Sequence, residues 1–95
     1  MSKYLGIDFG LKRIGLSITD QEKIFAFPLT TIESDNAFNF FKDLFLKEQV
    51  SKVIIGYPKQ LSGVDSEIES SIKIFIKKFK KQFPAIEIER FDERF

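Results

Sequence analysis

Residues 13–19 read RIGLSIT, with Ile14, Leu16 and Ile18 at alternate positions and Gly15, Ser17 and Thr19 between them. A period of two is that of a strand with one face in a core and the other open. The run before it, KYLGIDF at residues 3–9, is short, apolar and stopped by Gly10, and reads as a central strand. Gly10-Leu11-Lys12 is a glycine-containing connection of hairpin length. The chain thus opens with two antiparallel strands, and the remaining elements must build on the sheet they begin.

Residues 24–32 read as a third strand after the polar turn Asp20-Gln21-Glu22, and Pro28 within it argues for an edge position. A helix comes next, capped by Ser34 or Asp35 and carrying Ala37, Phe38, Phe41, Leu44 and Phe45 at helical spacing to about Glu48. KVIIGY, residues 52–57, is a continuous apolar run, the pattern of a strand buried on both faces, and it stops at Pro58. Residues 59–63 form a loop. Ser66 and Glu69 are spaced as a capping box for a second helix, whose stripe is Ile68, Ile72, Phe75, Ile76, Phe79 and Phe83. Pro84 ends it. Residues 85–91 read as the last strand, with Ile86 and Ile88 inward and Glu87 and Glu89 outward.

The order β-β-β-α-β-α-β implies an α/β fold: a mixed five-stranded sheet, antiparallel on one side and parallel on the other, with helices packed on it. At 95 residues the chain is expected to form a single domain, residues 1–95. No run of eighteen apolar residues predicts a membrane span, and the start lacks the pattern of a signal peptide, so a cytoplasmic location is expected.

Composition narrows the chemistry. The chain has no histidine and no cysteine, which removes the usual zinc sites and the Ser-His and Cys-His nucleophilic pairs. Catalysis, if there is any, must use carboxylates, Lys, Arg, hydroxyls and hard cations such as Mg²⁺. A net charge of +1 by itself predicts no nucleic-acid binding, but the charges are uneven. Lys73, Lys77, Lys78, Lys80 and Lys81 crowd one helix end, either complementing its dipole or forming a phosphate-binding patch.

Asp8 is the anomaly in the first strand, since a carboxylate among core residues is costly without a partner. It either pairs with Lys12 or Arg13 across the hairpin or is kept for chemistry. Sheets of this kind place ligand sites at the carboxyl ends of their parallel strands. Asp8, the turn after Gly56-Tyr57-Pro58, and Asp92-Glu93 all fall there. Carboxylates drawn together from distant segments call for a cation between them, and two such cations form a clamp for in-line attack on a phosphodiester. The alternative for Asp92-Glu93-Arg94 is a solvated chain end.

Three stretches carry a resemblance: GIDFGLKRIGLSITD at residues 6–20, IIGYPKQLSG at 54–63 and FDERF at 91–95. Together they resemble the YqgF/RuvX family, the Holliday-junction-resolvase-like branch of the RNase H-like fold. Its hallmarks are a GIDxGxKRIG-type hairpin, a GxPxxxxG turn and a DER motif, and all three occur here in order. The resemblance implies a Mg²⁺- or Mn²⁺-dependent nuclease, linked to maturation of the 5′ end of pre-16S rRNA and first proposed as a junction resolvase. Its partner would be nucleic acid, structured RNA or branched DNA. By motif match Asp8 and Asp92 would be metal ligands and catalytic, with Glu93 beside them. Gly10, Lys12 and Arg13 would make the tight turn and basic, substrate-binding edge of the site. Arg94 would contact phosphate or tether the loop, and Gly56, Pro58 and Gly63 would shape its neighbour.

Family members continue past the DER motif into a helix with a further acidic residue, whereas this sequence ends one residue after it. The expectation is a site short of one carboxylate, little cleavage by the chain as it stands, and an apolar strip whose exposure favours a homodimer. Two other functions compete. One is a non-catalytic remnant of the fold that binds nucleic acid or protein. The other is a fragment of an actin- or Hsp70-like ATPase, whose phosphate-binding hairpin GIDFG also resembles.

Overall fold

The computed structural model describes residues 2–22, 25–58 and 64–92, the last segment by its backbone alone at 64 and 65. Five strands and two α-helices occur in the expected order: β1 (Lys3–Phe9), β2 (Arg13–Thr19), β3 (Ala26–Glu33), α1 (Ala37–Lys47), β4 (Val50–Gly56), α2 (Val64–Gln82) and β5 (Glu87–Phe91). The sheet runs β3-β2-β1-β4-β5. β2 is antiparallel to both β1 and β3, while β1, β4 and β5 are mutually parallel. β3 is an edge, as Pro28 requires, and the ladder shifts register where Leu16 gives way to Ser17 opposite it.

Alternation sorts the sheet residues onto two faces. Leu5 and Ile7 of β1, Ile14 and Leu16 of β2, and Val53 and Ile55 of β4 are buried on one face, with Ile7 level with both Leu16 and Ile55, and Leu5 with Val53. Against them lie Ala37, Phe41 and Leu44 of α1 and Ile72, Phe75 and Phe79 of α2. Phenylalanine dominates this layer. The Phe41 and Phe79 rings meet edge-on at 5.7 Å, Phe45 and Phe83 at 5.0 Å, and Phe9 tilts against Phe75 at 5.4 Å. Such pairs stabilise beyond their buried area. Most of the phenylalanines thus serve packing, while Phe25, Phe27 and Phe91 are exposed.

Both helices therefore cover one face, and among the described residues nothing buries the other. This corrects the expectation for β4: Val53 and Ile55 are fully buried, but Lys52 and Ile54 on the opposite face are only half-buried. An unbroken apolar run records hydrophobicity, not how many layers the fold supplies.

Other boundaries differ by one or two residues. β3 starts at Ala26 and runs to Glu33; β4 spans 50–56 and β5 starts at Glu87. Neither Ser34 nor Asp35 caps α1. They lie in a 3₁₀ turn, Ser34–Asn36, ahead of the helix. α2 begins at Val64, so Ser66 lies within its first turn, and Glu69 is engaged elsewhere. The loop at residues 59–63 lies outside the described residues.

Candidate active site at the carboxyl edge of the sheet

Parallel pairing brings the carboxyl ends of β1, β4 and β5 to one edge. Ile7 is level with Ile55, and Gly56 with Phe91, so Asp8 on β1, Gly56 on β4 and Phe91 on β5 lie in a row. Asp92 follows Phe91 directly. One strand separates Asp8 from Asp92, a backbone spacing of about 10 Å at the usual inter-strand distance. The Tyr57 N–H donates to the Phe91 carbonyl at 2.7 Å, carrying the β4–β5 pairing one step past the strand end.

Asp8 is exposed, on the open face of the sheet. The desolvation cost that made it anomalous in the sequence does not arise. It forms no ion pair with Lys12 or Arg13, and none with any other described residue. Opposite it on β2 is Gly15, whose missing side chain leaves the carboxylate uncovered. A groove of about 850 Å³ runs here, lined in part by Gly6, Asp8, Gly15, Ser17, Gly56 and Tyr57. Its glycine floor admits close approach by a ligand backbone.

Lys12 and Arg13 are exposed at the β1–β2 turn, beside a second, smaller recess shared with Glu33 and Asp35. Arg13 falls on the open face, as Asp8 does, diagonal to it across the hairpin. The turn is tight: a Cβ on Gly10 would come within 2.6 Å of the Arg13 carbonyl oxygen. Glycine is needed there for space. Ser34 then ties the turn down. Its Oγ donates to the Gly10 carbonyl at 3.0 Å, and its N–H donates to the Lys12 carbonyl at 2.9 Å. This is why Ser34 is not a helix cap.

Asp92 is half-buried and has an interaction partner. Glu93, Arg94 and Gly63 lie outside the described residues. Among the described residues no three acidic side chains cluster closely enough to hold a metal ion. Asp8 and Asp92 offer oxygen donors only, a set that fits a hard cation, since Mg²⁺ is commonly held by one or two carboxylates with water and substrate phosphate completing its shell.

Sequence reasoning missed the most heavily bonded side chain near this edge. The Arg90 guanidinium makes a two-pronged pair with Glu69 of α2, Nη1 to Oε2 at 3.0 Å and Nη2 to Oε1 at 2.7 Å. Its Nε donates to the Ile55 carbonyl at 3.2 Å and Nη2 to that of Gly56 at 3.3 Å. The guanidinium also stacks 4.0 Å above the centre of the Tyr57 ring. These bonds hold the Glu69 carboxyl below its ordinary value. The signal was present in the alternation: after Ile86 and Ile88, the next inward position of β5 is Arg90, and an inward arginine needs a partner.

On the opposite face Lys52 reaches Glu89 at 3.1 Å and Glu87 at 3.3 Å. The lysines of α2 at 73, 77, 78, 80 and 81 are exposed, on the helix that covers the other side of the sheet from Asp8. No described helix is long and apolar enough to cross a membrane.

Comparison with known proteins identifies a family. The model of a family described as "RuvX: Holliday junction resolvase" matches residues 2–95. A Flavobacterium psychrophilum protein named "Putative pre-16S rRNA nuclease" is 50% identical over 95 residues, all of this chain and 69% of the relative. Proteins of the same name from Flavobacterium johnsoniae and Bacteroides thetaiotaomicron are 45% and 39% identical, each over the whole chain and 69% of the relative.

Proposed function

Since the chain belongs to the RuvX family, we propose that it is a cytoplasmic, divalent-metal-dependent nuclease acting on the 5′ region of pre-16S rRNA. The observation that carries this reading is Asp8, an exposed carboxylate without an ion pair among the described residues, on a glycine floor at the edge where the parallel strands end. Asp8 and Asp92, with Glu93 beside it, would hold Mg²⁺ or Mn²⁺. A bound cation supplies charge neutralisation at the phosphate and a water made more acidic. Gly6 and Gly15 let the nucleic-acid backbone approach Asp8. Lys12 and Arg13 bind phosphates flanking the scissile bond, in the orientation that the Ser34-clamped turn gives them, and Arg94 either contacts phosphate or tethers the loop. Residues 1–95 act as one domain that binds RNA and cation.

Mn²⁺ titration and RNA cleavage test this together. Asp8→Asn is expected to lower Mn²⁺ affinity by more than about tenfold while changing stability by less than about 0.5 kcal/mol, as for other surface substitutions. Binding of a precursor RNA should weaken with salt, and Lys12→Gln or Arg13→Gln should each reduce the slope by roughly 0.7–0.9. A chain extended to the length of its relatives should cleave that RNA with Mg²⁺ or Mn²⁺, and Asp8→Asn should abolish cleavage. Unchanged Mn²⁺ affinity in the Asp8 variant overturns the metal role. An extended chain inactive on precursor RNA but active on branched DNA overturns the substrate.

A further inference from the structure

We infer that Arg90, locked by Glu69, is a positioning residue that sets the edge-strand half of the active site. This role rests on the reading of Asp8 and Asp92 as a cation site. Among the described residues β5 is the last strand of the sheet, so only β4 supports it through the ladder. Its carboxyl end is where Asp92 follows. Arg90 sits two residues before Asp92 and joins three elements there: its own strand, the Ile55 and Gly56 carbonyls ending β4, and Glu69 on α2.

Arg90 itself is not a phosphate ligand. A guanidinium has five N–H donors, and this one already makes four hydrogen bonds. Its side chain is 16% exposed and that of Glu69 14%, so neither presents much surface to a substrate. What the pair can do is fix geometry. A planar fork satisfied by a carboxylate and two carbonyls, with a ring against its face, has one low-energy orientation. With that orientation set, the Tyr57 N–H meets the Phe91 carbonyl at 2.7 Å, and the residue after Phe91 is placed relative to Gly56 and Asp8.

Three variants of the full chain separate positioning from simple stability: Glu69→Gln, Arg90→Lys and Asp8→Asn. Each is checked for a folded spectrum well below its Tm, then titrated with Mn²⁺. Glu69→Gln and Arg90→Lys are expected to lower Mn²⁺ affinity about tenfold, the scale of losing a group that orients a ligand. Arg90→Lys keeps the charge beside Glu69 but loses the fork, so a purely electrostatic role predicts rescue in that variant. The second readout is hydrogen exchange at the Tyr57 amide, expected to rise at least about tenfold in both variants relative to the Leu5 amide on β1. If Asp8→Asn loses affinity while Glu69→Gln and Arg90→Lys do not, the positioning role is overturned and the pair only stabilises the fold. If Asp8→Asn also leaves affinity unchanged, the metal reading fails by itself. The Tyr57 amide then decides alone: faster exchange upholds the ordering of this edge by Arg90, and unchanged exchange overturns it.

Discussion

Asp8 and Asp92 reach the same edge of the sheet from strands with unequal support. β1 is hydrogen-bonded on both sides, to β2 and to β4, and the turn after it is pinned by two bonds from Ser34. Among the described residues β5 is bonded on one side only, and its end is held by a side chain reaching across to α2 and to the end of β4. The central carboxylate is thus placed by the ladder itself, which every folded molecule forms. The edge carboxylate depends on a charged pair that acid or a single substitution can remove. A site built this way has one invariant half and one adjustable half.

The largest effect that can test this contrast comes from beneath the sheet. Phe79 is fully buried and its ring lies 5.7 Å from Phe41 and 5.0 Å from Phe83. Phe79→Ala should cost about 3–5 kcal/mol by urea denaturation. Amide protection in β1, which tracks global stability, should fall by that full amount, and protection at the end of β5 by less. Equal losses at both ends would mean the edge has no local opening of its own.

Glu69→Gln comes next, with an expected loss of about 1–2 kcal/mol at neutral pH for a partly exposed pair with charged hydrogen bonds. Hydrogen bonds from Arg90 hold the folded Glu69 carboxyl below its ordinary 4.5. The pair therefore stabilises in full above about pH 4.5, the unfolded value, and is lost as pH falls through the lower folded value. Stability curves of the parent and Glu69→Gln should converge on acidification. Curves that stay parallel would show that the carboxylate charge is not what holds the edge.

Ser34→Ala addresses the other half. It removes one hydrogen bond to the Gly10 carbonyl and should cost about 0.5–1 kcal/mol, with the N–H bond from residue 34 retained. Amides of the β1–β2 turn should lose protection while Tyr57 keeps its own. Faster exchange at Tyr57 would show the two halves to be coupled.

The smallest effect belongs to the charged cluster on the open face. Hydrogen bonds to Glu89 first and Glu87 second hold the Lys52 ammonium above its ordinary 10.5. Its contribution is complete below that value and is lost as pH rises through the folded one. The partners Glu87 and Glu89 are 69% and 52% exposed, so Lys52→Met should leave Tm unchanged at neutral pH. A clear drop would mean that open-face pairs also order this edge of the sheet.

Much of this was legible in the chain. Strict alternation in RIGLSIT and the glycine stop at Gly10 delimit β2 and the turn, and Pro28 puts β3 at an edge, because each is a local consequence of backbone geometry. The family was legible in another way, by the resemblance of residues 6–20, 54–63 and 91–95 to its motifs. What stayed hidden is non-local. The spacing of Ser66 and Glu69 matches a capping box, but Glu69 is drawn 21 residues away to Arg90, and a carboxylate bonds the stronger donor within reach. KVIIGY shows that β4 can be buried, not that the described helices cover one of its faces and leave the other half-buried. Asp8 looked costly because its neighbours are apolar, yet alternation turns it away from them into water.

The chain has two tyrosines and no tryptophan, and each tyrosine ring lies under a cation. The Tyr57 ring packs 4.0 Å beneath the Arg90 guanidinium, and the Tyr4 ring 5.0 Å beneath the Lys52 ammonium. Tyrosine emission, with no indole to mask it, thus comes from two fluorophores on known charged partners. The Tyr57 component senses the lock at the edge of the site, and the Tyr4 component the open face. Replacing Tyr4 by Phe leaves a single intrinsic probe. Its intensity and lifetime would follow, without any label, the ordering of β5 as cation and RNA are added.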